Sequence, residues 1–303
     1  MKKKLFTLLT LTVFTLSSWA EDGHRLWLPA QKSQTAHVST NAQSATIDLA
    51  KQELTDYFAG TKATLLIDPA LTDDEGFTIN GNEDIFVVRA RRDIGLLYGA
   101  YDVLRRQAIQ GNMNHVEQHP RFRLRMLNHW DNLDGSIERG YAGESIFEWF
   151  HLDEALLHQY ARANASIGIN GSVLNNVNAS PKMLTREYLD EIRKIADLLR
   201  PYGIRVYLSI NFATPMALGD TRTADPKNKR VRQWWKRKAK EIYSIIPDFG
   251  GFLVKANSEG QPGPGDYHRT HAEGANMLAD ALAPFNGNGI WRCFVYGANH
   301  KGE

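Results

Sequence analysis

The sequence predicts an α/β protein, with a small N-terminal α/β accessory domain followed by a truncated (β/α)8 TIM barrel of about five β/α units. After residue 120, strand-like runs alternate with helical runs at intervals of ~40 residues, which is typical of a parallel sheet. The strand-like runs also end in polar residues, as strands do where a barrel carries its chemistry. The predicted boundaries are 1–20 for a signal peptide, 21–119 for the accessory domain and 120–303 for the partial barrel.

The N-terminus has the pattern of a secretory signal peptide. Three lysines precede an apolar run from Leu5 to Leu16, and Ser18-Trp19-Ala20 supplies a small-x-small cleavage site. A membrane anchor is the alternative, but the run is shorter than the ~20 residues that span a bilayer. We therefore expect an exported protein, periplasmic or extracellular, with no membrane association after cleavage at Ala20.

Composition excludes several classes of function. The 303 residues carry a net charge of +2, which gives no reason to expect nucleic acid as a partner. The basic stretch 227–240 has Val231, Trp235 and Ile242 at helical spacing, so we interpret it as a solvated helix face. Cys293 is the single cysteine, and the ten histidines lack metal-ligand spacing. The sequence therefore predicts no cofactor and no metal.

The predicted elements of the first part are two helices and three strands, followed by a polar linker at 110–114. The helices are predicted at 46–58 and 93–106, and the strands at 63–67, 76–79 and 84–88.

The second part is predicted to contain five strands and four helices. The strands fall at 122–128, 169–174, 205–210, 252–254 and 290–296, and the helices at 145–164, 186–199, 229–246 and 269–283. A complete eightfold barrel takes ~250 residues, more than follow Pro120. The alternatives are an open five-stranded sheet or a barrel cut short. We favour the cut barrel, because no helix follows the fifth strand to cover its edge.

Polar residues at the strand ends are the candidates for chemistry. Glu259 follows the strand at 252–254 and precedes a turn rich in glycine and proline, which makes it a candidate general acid. A solvated loop carboxylate is the alternative. Lys255 and Arg292 lie near strand interiors, where a cation needs either a protein carboxylate or a bound acidic group. Trp130 is either a core aromatic or a platform on which a sugar stacks.

Several stretches resemble the family-67 glycoside hydrolases, the α-glucuronidases that process xylan. They are 125–143, 170–178, 249–264, 280–284 and 291–292, and the likeness runs from about Leu26 to the last residue. The segment before residue 120 is similar to the accessory domain that precedes the barrel in this family.

The resemblance implies hydrolysis of the α-1,2 bond of (4-O-methyl-)glucuronic acid on xylo-oligosaccharides, with inversion at the anomeric carbon. By this resemblance, Glu259 is the general acid, and Lys255 and Arg292 hold the uronate carboxylate. Trp130 stacks near the sugar, and Val177 accommodates the methyl ether. The implied partners are xylan-derived aldouronic oligosaccharides.

The chain departs from the family in lacking the base. An inverting hydrolase needs a second carboxylate ~6.5–9.5 Å from the acid, and the family supplies it from an Asp and a Glu on later strands. We therefore expect an N-terminal portion of an α-glucuronidase that is inactive alone, with a homodimer only where the family's C-terminal domain is present. A non-catalytic module for acidic sugars and another glycosidase on the same barrel, such as a retaining β-hexosaminidase, remain alternatives.

Overall fold

A computed structural model describes residues 23, 25–29, 32–33, 36–141 and 143–292. The predicted signal peptide, Cys293 and positions 293–296 of the predicted fifth strand lie outside these residues. Within them, no helix combines the length and the apolar character needed to cross a membrane.

The first unit is an α/β sheet with two helices packed on it. Its elements are β1 (His37–Thr40), α1 (Ala45–Tyr57), β2 (Lys62–Ile67), β3 (Phe77–Gly81), β4 (Ile85–Ala90), α2 (Asp93–Ala108) and β5 (Val116–Gln118). The strand order is β1-β2-β4-β3-β5, with β3 antiparallel to both of its neighbours. The predicted helices and strands are confirmed. The two outermost strands, β1 and β5, were not predicted because each is only a few residues long.

The second unit is a parallel sheet whose strands follow one another in chain order. Its elements are β6 (Met126–Asn128), α3 (Glu154–Ser166), β7 (Gly171–Val173), α4 (Arg186–Leu199), β8 (Arg205–Ile210), α5 (Thr214–Ala217), α6 (Lys229–Ile245), β9 (Gly251–Lys255), α7 (His271–Leu282) and β10 (Asn288–Arg292). Every pair from β6 to β10 is parallel. The alternation of strands and helices predicted from the sequence is confirmed.

Alternate residues of β8 are buried on opposite faces of this sheet. Val206, Leu208 and Ile210 join the core beneath the helices, whereas Tyr207 faces the other way. Tyr207 is fully buried in a second, small apolar cluster. That cluster consists of Val173, Val177, Tyr207 and Leu253, with Met126 and Ile290 packed against it. The sheet is therefore curled around its own inner face.

The helix predicted at 145–164 begins later, at Glu154. The side chain of Asp153 caps it by accepting a hydrogen bond from the backbone N–H of Leu156 at 3.0 Å. Upstream, the Ser145 hydroxyl donates to the buried Asp131 carboxylate, which ties the preceding residues to the end of β6. Residues 145–153 therefore belong to the connection between β6 and α3.

Candidate functional site

The carboxyl ends of β9 and β10 bring two cations together. Lys255 is the last residue of β9, Arg292 is the last of β10, and the two are register partners in the parallel pair. Side chains at paired positions leave the same face of a sheet. Both cations therefore stand on the inner face, at the same level.

Two side-chain oxygen atoms accept hydrogen bonds from the Lys255 ammonium at the carboxyl end of β9. Its side chain is only 3% exposed, and its ammonium forms a short ion pair with the Glu259 carboxylate. The same ammonium donates to Oδ1 of Asn178 at 2.9 Å, which reaches in from the segment after β7. The anion that a buried lysine requires is therefore supplied in this structure by a protein carboxylate, Glu259.

Glu259 lies at the tip of a tight turn. The backbone N–H of Gln261 donates to the carbonyl of Ser258 at 2.9 Å, and the two central residues, Glu259 and Gly260, have φ values of 49° and 80°. Two positive φ values are typical of a type I′ turn, and a glutamate rarely occupies one. The turn directs the Glu259 carboxylate back toward the strand that precedes it.

The loop that follows this turn is braced by Asn257. Its side-chain carbonyl accepts from the N–H of Gly265 at 2.7 Å, and its amide donates to Asp266 at 3.1 Å. A side chain at Gly263 would lie 2.3 Å from the Asn257 oxygen, so glycine is needed there. The side chains of Asn257 and Asp266 therefore connect the two ends of the segment after Glu259.

Arg139 is a second cation on Glu259 that sequence reasoning missed. Its Nη2 lies 3.2 Å from Oε1 of Glu259, although the two residues are 120 positions apart. Arg139 has a φ of 59°, and the preceding Glu138 is anchored by its N–H to the carbonyl of Trp130 at 2.9 Å and by its carboxylate to Asn176. Arg139 falls within the stretch 125–143 that carries the resemblance, but no spacing rule links it to a residue after β9.

The electrostatics of the pair favour an ionised carboxylate. Hydrogen bonding to Lys255, followed by the charges of Lys255 and Arg139, lowers the pKa of Glu259 below 4.5, although partial desolvation opposes the shift. A general acid must carry a proton. In this arrangement Glu259 is therefore not yet in the protonation state that acid catalysis needs.

The other two predicted site residues lie close to the strand ends but in different settings. Trp130 follows β6, is half-buried, and its ring centroid lies 6.2 Å from that of Tyr141 at an angle of 45°. Val177 follows β7 and is 3% exposed, because it packs in the inner cluster with Tyr207 and Leu253. Trp130 is joined to the Arg139 loop through Glu138, and Val177 directly precedes Asn178.

A polar cavity of about 390 Å³ opens at the ends of β6 and β7. Asparagines 132, 175, 176 and 178 line it, together with Asp131, Leu133, Asp134, Ala179, Ser180, Lys182 and Tyr188. Asn178 connects this cavity to Lys255. Among the described residues, no group of three or more histidine, cysteine or acidic side chains is arranged to hold a metal ion.

The fold is shared with carbohydrate-active enzymes of low sequence identity. A GH138 enzyme targeting pectin rhamnogalacturonan II matches with a TM-score of 0.54 and 16% identity, over 85% of this chain and 34% of its own. A β-N-acetylhexosaminidase from Bacteroides fragilis matches with a TM-score of 0.54 and 12% identity, over 86% of this chain and 62% of its own. At these identities the likeness concerns the fold alone.

Sequence comparison is more specific. A protein described as probable alpha-glucuronidase A from Aspergillus fumigatus is 47% identical over 229 residues, which is 74% of this chain and 27% of the relative. The corresponding Aspergillus clavatus protein is 38% identical over 97% of this chain and 40% of its own length. Alpha-glucuronidase A of Emericella nidulans is 44% identical over 78% of this chain and 29% of its own. This chain thus spans well under half the length of these curated relatives.

The family model for the glycosyl hydrolase family 67 middle domain matches residues 104–303, which include both strand ends that carry Lys255 and Arg292. The match begins inside α2, upstream of the boundary at 120 expected from the sequence. It covers about two thirds of the chain. The chain belongs to glycosyl hydrolase family 67.

Proposed function

We propose that the chain contributes to an exported α-glucuronidase that hydrolyses the α-1,2 bond of (4-O-methyl-)glucuronic acid on xylo-oligosaccharides, with inversion. The observation that carries the proposal is the group of Lys255, Arg292 and Glu259 at neighbouring strand ends of a family-67 chain. The relatives named alpha-glucuronidase support the reaction, and the charged and apolar pattern of residues 1–20 supports export.

The architecture we propose is an accessory α/β domain at 21–119 and, from 120, the first five β/α units of an eightfold barrel. Strands in strict chain order support a barrel over a doubly wound sheet, in which the order reverses at a switch point. The inner cluster around Tyr207 supports it as well, because among the described residues this cluster is formed by residues of the strands and of the segment after β7, and none of its members lies on a helix. The sheet of the first unit ends at Gln118 and that of the second begins at Met126, which supports the boundary.

In this proposal the two cations bind the uronate and the carboxylate protonates the leaving oxygen. Lys255 and Arg292 are complementary to a sugar carboxylate, because ammonium and guanidinium groups donate charge-assisted hydrogen bonds to it. Glu259 acts as general acid, Trp130 supplies a face on which the pyranose stacks, and Val177 accommodates the 4-O-methyl group. The base carboxylate is expected from the part of the relatives that this chain does not span.

The experiment that tests the proposal continues this chain with the downstream residues of the Aspergillus fumigatus relative. The product released from an aldouronic oligosaccharide is followed by proton NMR in its first minutes, before mutarotation. Release of β-glucuronic acid supports the proposal. A first product in the α form contradicts inversion and favours a retaining glycosidase on the same barrel.

A second candidate function is a module that binds acidic sugars without cleaving them. The ion pair between Glu259 and Lys255 favours it, since it engages the candidate acid in its ionised form, which cannot donate a proton. The same extended chain discriminates the two functions: binding of glucuronate by calorimetry with no sugar released would support the binding module.

A further inference from the structure

The Glu259 carboxylate is shared by two cations that differ in their surroundings. Lys255 is almost fully buried and contacts Oε2, whereas Arg139 is 55% exposed and contacts Oε1. Arg139 lies on the loop after β6, and Lys255 is the last residue of β9. One carboxylate therefore bridges two elements that lie far apart in the sequence.

This bridge conflicts with the proposed roles of its members. If Lys255 receives the sugar carboxylate, its position is already taken by Glu259. If Glu259 donates a proton, the two cations that surround it oppose protonation. The first conflict disappears if the incoming carboxylate replaces Glu259 on Lys255, and the second weakens, because only one of the two cations then remains on Glu259.

We propose that the carboxylate of an acidic sugar displaces Glu259 from Lys255, and that Arg139 retains the displaced Glu259 side chain near the site. This inference rests on the proposed function, which makes Lys255 a uronate ligand. The exchange conserves charge around Lys255, because one carboxylate leaves as another arrives. The displaced Glu259 binds a proton from solvent more readily than the paired one, because it has lost the buried ammonium that favoured its ionised form.

The charged groups around Glu259 determine how far its pKa rises on the exchange. They are Lys255 on β9 and Arg139 on the loop after β6; Arg292 is the register partner of Lys255, and Arg139 also contacts Glu138 and hydrogen-bonds Tyr141. After the exchange, the buried ammonium is neutralised by the sugar, and Arg139 is the cation that remains on Glu259. An exposed guanidinium lowers a neighbouring pKa less than a buried ammonium does, because water screens it.

Arg139 is suited to retain the side chain without fixing it. Its backbone is anchored through Glu138, which hydrogen-bonds the Trp130 carbonyl and the Asn176 amide. Its guanidinium is more than half exposed and also hydrogen-bonds Tyr141, so it stays near the site and can follow a carboxylate over a short movement. Arg139 is therefore a positioning residue for Glu259.

The exchange is tested on the 303-residue chain with glutamate labelled by carbon-13 at the side-chain carboxyl. The Glu259 signal is assigned by its loss in Glu259→Gln, and its pKa is measured by NMR titration alone, with saturating glucuronate, and with glucose. We expect glucuronate to raise the pKa of Glu259 by about one unit or more, and glucose to leave it unchanged. Calorimetry in buffers of different ionisation enthalpy, at a pH close to the measured pKa of ligand-free Glu259, should show proton uptake with glucuronate only.

Failure of the carboxylate exchange can be distinguished from failure of the uronate pocket. Glucuronate binding without any change in the pKa of Glu259 would overturn the exchange and leave the uronate pocket standing. No glucuronate binding by calorimetry would overturn both. An equal shift with glucose would show that occupancy rather than charge moves Glu259, and would also overturn the exchange.

Arg139→Gln tests the retaining role in the same titration. If Arg139 is the cation left on Glu259, the variant raises the pKa of Glu259 further in the glucuronate complex. A rise confined to the ligand-free protein would contradict retention. Arg186→Gln serves as control, because Arg186 pairs with Asp190 on the exposed face of α4 and should leave both values unchanged.

Discussion

Arg292 lies directly opposite Lys255 across the β9–β10 pair, so the two cations leave the sheet on one face. If Arg292 binds a uronate, Arg292→Ala should weaken glucuronate binding by about 10- to 100-fold, the effect of losing a charge-assisted hydrogen bond of ~1.5–3 kcal/mol. Glucose binding, measured by the same calorimetric titration, should change little. Equal losses on both sugars would mean that Arg292 supports only the fold.

Trp130 provides the matched comparison for Arg292. An aromatic face stabilises the binding of a neutral pyranose as much as that of a charged one. Trp130→Ala should therefore weaken the binding of glucose and of glucuronate by similar factors. The two variants are compared under the same conditions. A loss of affinity for glucuronate alone in Trp130→Ala would argue against a stacking role.

Val177 is predicted to set the preference for the methyl ether. Removing two methyl groups next to the sugar should lower the preference for 4-O-methylglucuronate over glucuronate several-fold, because one methyl contact is worth ~1 kcal/mol or more. Val173→Ala is the control, since Val173 packs in the same inner cluster. An unchanged preference in Val177→Ala, or an equal change in Val173→Ala, would place the methyl group elsewhere.

The buried pair between Glu53 of α1 and Arg162 of α3 should stabilise the packing of the two units. Arg162 Nη2 lies 2.8 Å from Glu53 Oε2, and the Glu53 side chain is only 9% exposed. Glu53→Ala leaves a guanidinium without its carboxylate and should lower the free energy of unfolding in urea by about 3 kcal/mol. Asp190→Asn, which breaks the exposed Arg186–Asp190 pair, should change it by less than about 1 kcal/mol. Similar decreases in the free energy of unfolding for Glu53→Ala and Asp190→Asn would mean that the Glu53–Arg162 pair stabilises the chain no more than an exposed pair does.

Ionisation of Glu259 should also appear in the pH dependence of stability. Its pKa is lower in the folded chain than the reference value of 4.5, so the pairing with Lys255 stabilises the fold fully above that value and is lost as the pH falls through the folded pKa. The difference in free energy of unfolding between the wild type and Glu259→Gln should therefore shrink between neutral pH and about pH 3. A difference independent of pH would mean that Glu259 is not ionised against Lys255.

Hydrophobic periodicity was sufficient to predict most elements. Helix α4 falls at the predicted residues because its apolar positions repeat with the helical period, and strand β8 does so because it is a short, nearly continuous apolar run buried on both faces. The predicted start of α3, at residue 145, is too early. Phe147 and Trp149 extend the apolar pattern of the helix toward the N-terminus, but they are buried side chains of the connection between β6 and α3. The short outer strands β1 and β5 give too few residues for any period to show.

The site was less predictable than the fold. The position of Lys255 and Glu259 after one strand indicated a charged strand end, and the register of β9 and β10 adds Arg292 to it. Arg139 depends on a loop conformation set by positive φ values and by the hydrogen bonds of Glu138, which no local pattern encodes. The ion pair that lowers the pKa of Glu259 is likewise a property of the fold.

The most direct measurement is the kcat of Glu259→Gln in the chain extended with its relative's downstream residues, acting on an aldouronic oligosaccharide. Glutamine keeps the size of the side chain but cannot donate the proton that the leaving xylose oxygen needs. We expect kcat to fall by about 10²- to 10⁴-fold relative to the unsubstituted chain, with KM little changed. A kcat equal to that of the unsubstituted chain would contradict the role of Glu259 as general acid.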